Sequence, residues 1–250
     1  MQIPQLVPAL VDAGERFAAA TDRAGLDAPV PTCPDWTVRD LILHIGGVHR
    51  WAATYVRDGH TEPIAIGAAH EIDDYLPVDA ELVTWFRTGL DGLVAAIETA
   101  PADVACWSFL PAPSPLAFWA RRQAHETTIH RVDAESAAGA ITPVDPAVAT
   151  DGIDELLTGF VVRPKGRLRS EEPRTLAVHT TDTDAHWLLT VSDQPVVTDR
   201  ANATADTVLR GPAHDVYLAL WNRLPLTALE DSGDQRLIDE WPTAVRIRWT

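Results

Sequence analysis

Asp35-Trp36-Thr37-Val38-Arg39-Asp40-Leu41-Ile42-Leu43-His44 begins with a helix start signal and ends on a polar residue in an apolar position. Thr37, with Asp40 three residues on, resembles a capping box in which Asp replaces the usual Glu. The helix it opens is expected to run to about Arg57. Leu41, His44, Val48, Trp51 and Tyr55 recur at spacings of three and four, which puts His44 in the middle of the apolar stripe. A buried polar group without a partner costs about 1–3 kcal/mol, so an imidazole there needs company.

A second stretch offers it. After the proline-rich loop with Pro111, Pro113 and Pro115, a helix is predicted from about Leu116 to Ala138, ended by Gly139 and Pro143. On it Trp119, Gln123, Glu126, His130 and Asp133 recur at three or four residues. Glu126 and His130 are i and i+4, so they project the same way from adjacent turns. Two donors at that spacing can hold one metal ion, and His44 from a facing helix would complete three ligands with an open position. The string His125-Glu126-Thr127-Thr128-Ile129-His130 is no zinc-protease HExxH, because its histidines are five apart and fall on different faces. Asp133, one turn beyond His130, is placed to accept that ring's free N–H. Spacing alone leaves plainer readings open: a hydrogen-bonded core histidine, a solvent-facing Glu–His pair, and an exposed pairing of Asp133 with Arg131. The other histidines have no comparable arrangement and read as surface or packing residues, with His125 a flanking group. Trp36, Trp51, Trp85 and Trp119 read as core.

Around these helices the chain of 250 residues, 46% of them hydrophobic, suits one large domain or two ordinary ones. The net charge of −16 disfavours nucleic acid and anionic lipid as partners. No apolar run is long enough for a membrane span, and the N-terminus lacks the features of a secretory signal. Two cysteines, Cys33 and Cys106, suit a reducing cytoplasm and read as small buried hydrophobes. Of twenty basic residues only Lys165 is lysine, a composition that suggests a GC-rich source.

A first helix is predicted over about residues 4–24 and a third over about 78–98. The stretch 142–151 is the predicted boundary, giving domains 1–145 and 146–250. Beyond it a helix is expected over about 146–162. Thr175–Thr180 and His186–Ser192 alternate as strands of an antiparallel hairpin, followed by a strand at Ala203–Leu209. Gly211-Pro212 then starts a helix through about Trp221, and Ala244–Trp249 reads as a closing strand. The second half is therefore α+β.

Cys33 through His44, quoted above from Asp35, closely resembles the first signature of the mycothiol-dependent maleylpyruvate isomerase family, within the DinB-like four-helix metalloproteins. Glu126-Thr127-Thr128-Ile129-His130-Arg131-Val132-Asp133 resembles its second signature. Gly211–His214 through Leu220–Arg223 looks like its C-terminal domain, which is similar to sterol carrier proteins. The resemblance implies an N-terminal DinB-like bundle followed by a smaller α+β domain that covers the pocket. It puts the metal ligands, for zinc first, on His44, Glu126 and His130. It implies a low-molecular-weight thiol, mycothiol in actinobacteria, as cofactor or co-substrate. The thiolate adds to an electrophilic alkene and leaves after rotation, giving cis–trans isomerisation, or stays attached, giving S-transfer. Arg223 is the candidate to meet an anionic group of the substrate. The segment 58–78 and the loop 99–115 are expected to line the mouth.

The leading expectation is thus a cytoplasmic, zinc-dependent, thiol-using isomerase or S-transferase, monomeric or homodimeric, acting on a small electrophilic or carboxylate substrate. The alternative is a metal-stabilised binding protein without turnover; a hydrolase using metal-bound water is a third, weaker reading.

Overall fold

The computed structural model describes residues 1–64 and 77–247. The chain forms two compact units, one of residues Met1–Thr142 and the other beginning at Pro143.

Four long helices dominate the described residues of the first unit: α1 (Ile3–Ala24), α2 (Val38–Asp58), α3 (Leu82–Thr99) and α4 (Pro115–Ala137). α1 packs on α4 and on α3, and α2 packs on α3 and α4. α2 starts where the sequence puts it: Thr37 accepts the Asp40 backbone N–H, and the Asp40 carboxylate takes the Thr37 N–H in return. It ends at Gly59, whose φ of 65° lies in the left-handed region that glycine enters without strain. α4 starts at Ser114, whose hydroxyl accepts the Ala117 N–H, with Pro115 filling a position that needs no donor. The apolar core runs through Phe17, Leu41, Ile42, Ile45, Val48 and Phe86. Gly46 lets α2 and α3 approach closely; a Cβ there would lie 2.2 Å from the Trp85 ring.

Between α1 and α2 the proline-bearing loop pairs with itself. β1 (Pro29–Val30) and β2 (Cys33–Thr37) form a short antiparallel hairpin. Sequence patterning predicts no strand here, since three prolines interrupt any alternation.

The second unit begins with α5 (Pro146–Glu155), capped by Asp145 and continued by a π-helical segment, Leu156–Phe160. Its sheet holds β3 (Arg174–Thr180), β4 (His186–Val191), β5 (Val197–Asp199), β6 (Thr207–Gly211) and β7 (Glu230–Gly233) in the order β5-β4-β3-β6-β7. β3 and β4 pair antiparallel, as their alternation predicts, and β3 pairs parallel with β6. The strand expected at Ala203–Leu209 is β6, which starts later, at Thr207, with Asp206 drawn off to the Thr175 backbone N–H and hydroxyl, and β5 before it is not among the expected strands. α6 (Ala213–Leu220) follows, and α7 (Arg236–Ala244) closes the described chain. The expected closing strand is corrected here. Ala244 ends α7, whose Leu237, Ile238 and Trp241 form a buried helical stripe, and Val245–Ile247 is not a strand. Residues 248–249 of that expected strand lie outside the described residues, as do His70 and 65–76 of the segment expected at the mouth. No helix among the described residues is long and apolar enough to cross a membrane.

Candidate metal centre

The first half of α2 and the middle of α4 bring three donors to one point. His44, Glu126 and His130 each offer a ligand atom, and those atoms lie within 4.8 Å of one another. Oε1 of Glu126 is 3.5 Å from His44 Nε2 and 3.4 Å from His130 Nε2. The other carboxylate oxygen, Oε2, accepts from Arg122 at 3.1 Å. Glu126 thus turns one oxygen toward the histidines while a buried guanidinium holds the other.

The electrostatics suit a cation. Burial works to raise the Glu126 pKa, but the close approach of His130 and His44 and the charge of Arg122 outweigh it and hold the carboxyl well below the usual range. Burial and the charge of His130 keep His44 below the ordinary imidazole value, against the pull of Glu126. Burial also acts to lower His130, yet Asp133 and Glu126 overcome it and raise that ring. The His130 Nδ1 proton goes to Asp133 Oδ2 at 2.8 Å, which leaves Nε2 aimed at Glu126. His44 Nε2 is buried and makes no hydrogen bond among the described residues. A buried nitrogen without a hydrogen bond, beside an ionised carboxylate and a second imidazole, is a donor set that fits a divalent cation such as zinc. The His44 side chain is 19% exposed, although its Nε2 is buried.

The β1–β2 hairpin frames the trio. Thr32 Oγ1 donates to Asp133 Oδ1 at 2.6 Å, and Cys33 Sγ approaches Asp133 Oδ2 at 3.6 Å. Trp36, on β2, lies 4.8 Å from the His44 ring and is stacked 6.0 Å from the His130 ring, centroid to centroid. Sequence reasoning passes over Arg122 and Thr32, and it reads Cys33 as a small buried hydrophobe and Trp36 as core. The i,i+4 spacing of Arg122 and Glu126 was the one available signal; nothing local ties Thr32 to Asp133.

The remaining candidates lie elsewhere. His49 is buried and bonded to Thr127 Oγ1 at 2.8 Å. His125 is fully buried on α4 and is not among the clustered donors. Trp119 packs with Trp51 and Tyr55 in an aromatic cluster, with its indole N–H on the Trp107 carbonyl. Cys106 is buried, whereas Cys33 is partly exposed. In the second unit Arg223 follows Asn222, whose φ is 61°, and donates to the Trp221 carbonyl at 2.9 Å.

Comparison with known proteins bears on both units. Residues 7–135 match the mycothiol maleylpyruvate isomerase N-terminal domain, and residues 147–240 match the C-terminal domain of the same family. Among solved structures, the mycothiol-dependent maleylpyruvate isomerase is similar over 93% of this chain and 93% of its own, with a TM-score of 0.62 and 13% identity. A histidine-to-alanine variant of that enzyme gives a TM-score of 0.63 with the same identity and coverage. At that identity the likeness concerns the fold. No protein of curated function matches the sequence.

Proposed function

The chain belongs to the mycothiol maleylpyruvate isomerase family, and from that premise we propose that it is a divalent-metal enzyme, with zinc the first choice, that uses a low-molecular-weight thiol such as mycothiol. Within that reading it acts as a thiol S-transferase or a cis–trans isomerase on a small electrophilic substrate. The observation that carries the proposal is the convergence of Glu126 Oε1 with the Nε2 atoms of His44 and His130, one of which makes no hydrogen bond.

Each side chain has a task in this reading. His44, Glu126 and His130 hold the cation. Asp133 fixes the His130 tautomer so that Nε2 faces inward. Arg122 fixes the Glu126 carboxylate, and a buried cation there offsets part of the acidic charge. When bound, a divalent cation favours the thiolate form of a neighbouring thiol and can polarise a carbonyl. Three protein donors leave a position for such a ligand, which is the pattern of catalytic rather than closed structural zinc sites. We assign Arg223 to an anionic group of the substrate, because a planar guanidinium suits a carboxylate.

Elemental analysis of the purified protein, with His44→Ala and His130→Ala beside it, tests the proposal. About one zinc per chain in the wild type, lost in both variants, is the expected result for a three-donor site. A wild type that stays metal-free after zinc is resupplied ends it. A metal-loaded protein that takes up no thiol favours the non-catalytic binding protein instead.

A further inference from the structure

Trp36 is the half-buried aromatic ring that lies against both histidines of the trio. Its own strand is fixed at both ends. Thr32 and Cys33 reach the Asp133 carboxylate at one end, and Thr37 is locked to Asp40 at the other. The strand that carries the indole is therefore held in place before any ligand arrives, which spares the ordering cost of a mobile loop. The indole lies 4.8 Å from the His44 ring, whose side chain is 19% exposed and whose Nε2 has no hydrogen bond among the described residues.

An indole face has no use for water. It offers apolar area to a carbon chain, and it has no hydrogen-bond donor for a hydroxide or a small anion. Resting on the metal-and-thiol reading above, we infer that Trp36 is the specificity-determining wall of this site. It selects an organic thiol, through the methylenes next to sulfur, over water and inorganic anions at the ligand position that the three protein donors leave.

The wall has a measurable signature: affinity that climbs with chain length. The full chain is loaded with cobalt(II), whose visible absorption reports ligand exchange. It is titrated with ethanethiol, 1-propanethiol and 1-butanethiol, and with azide as a ligand without carbon. At about 0.8 kcal/mol per buried methylene, wild-type affinity is expected to rise roughly fourfold per added carbon. Trp36→Ala flattens that series and leaves azide binding within about twofold, because azide gains nothing from apolar contact. Trp36→Phe keeps a smaller face and an intermediate slope, and it serves as the comparison if the alanine variant does not fold. Slopes equal to wild type in the variants that fold overturn the wall while the metal and thiol reading stands. A wild type whose cobalt spectrum ignores every thiol removes that reading and this inference with it.

Discussion

α1 and α4 are nearly equal in length, at 22 and 23 residues, and pack against each other, yet opposite rules govern what they bury. α1 buries Leu6, Leu10, Ala13 and Phe17 at helical spacing and turns its charged residues outward. α4 buries Arg122, Glu126, His130 and Asp133 along with its apolar residues. Its ionic groups answer one another one turn apart: Arg122 with Glu126, Glu126 with His130, His130 with Asp133. Burying charges is costly, and each partner removed leaves another stranded. A helix that accepts such costs is organised around chemistry, whereas α1 is organised around the exclusion of water.

The sharpest way to break the contrast is to damage the apolar helix. Phe17→Ala on α1 is expected to cost about 3–5 kcal/mol in denaturant unfolding while the folded protein still takes up its metal. Loss of metal with little loss of stability would mean α1 is not the mere support described above.

pH separates the core histidine His49 from the site histidine His130. Burial and the charge of Arg50 hold His49 down to about 3. The unfolded value lies above the folded one, so the stability tied to neutral His49 is complete above about pH 6.5 and is lost as pH falls. Its slope is about 1.4 kcal/mol per pH unit between pH 6 and 4, and His49→Gln should flatten it. His130 has the opposite sign. Its raised value in the metal-free protein gives stability that is complete below the unfolded pKa and fades as pH rises through the folded one. Metal-free stability curves of the wild type and the two single His→Gln variants separate the contributions; matching curves would dissolve the distinction.

The smallest effect belongs to the residue behind the ligands. Asp133→Asn should weaken metal binding about 10- to 100-fold, read by competition with a chelator, with the protein still folded. An unchanged affinity would place Asp133 with the supporting residues of α1 rather than with the site.

Much of this was legible from residue types alone. The amphipathic stripes locate α1 and α2 nearly to the residue, because burial there obeys a period of 3.6. β3 and β4 follow from strict alternation. His44 stands out as a polar residue in an apolar stripe and Glu126 with His130 by their i,i+4 geometry, but spacing alone fits a hydrogen-bonded core histidine as well, and the resemblance is what makes the three a ligand set. The hairpin at 29–37 was illegible, since its order comes from Asp133 rather than from its own pattern. For the same reason Trp36 reads as a core residue until its neighbours on α4 are known. α7 escaped because its stripe is only two turns long.

The Thr32–Asp133 hydrogen bond joins residues 101 positions apart. Loop-closure entropy makes such a contact a late event, formed after the nearer helix pairings have shortened the effective loop. The donors obey the same timetable, for a chain that has made α2 but not α4 holds one of the three. A nascent or half-folded chain thus offers no complete chelate, and in the metal reading proposed above competence to take up a cation would certify that α2 and α4 have come together.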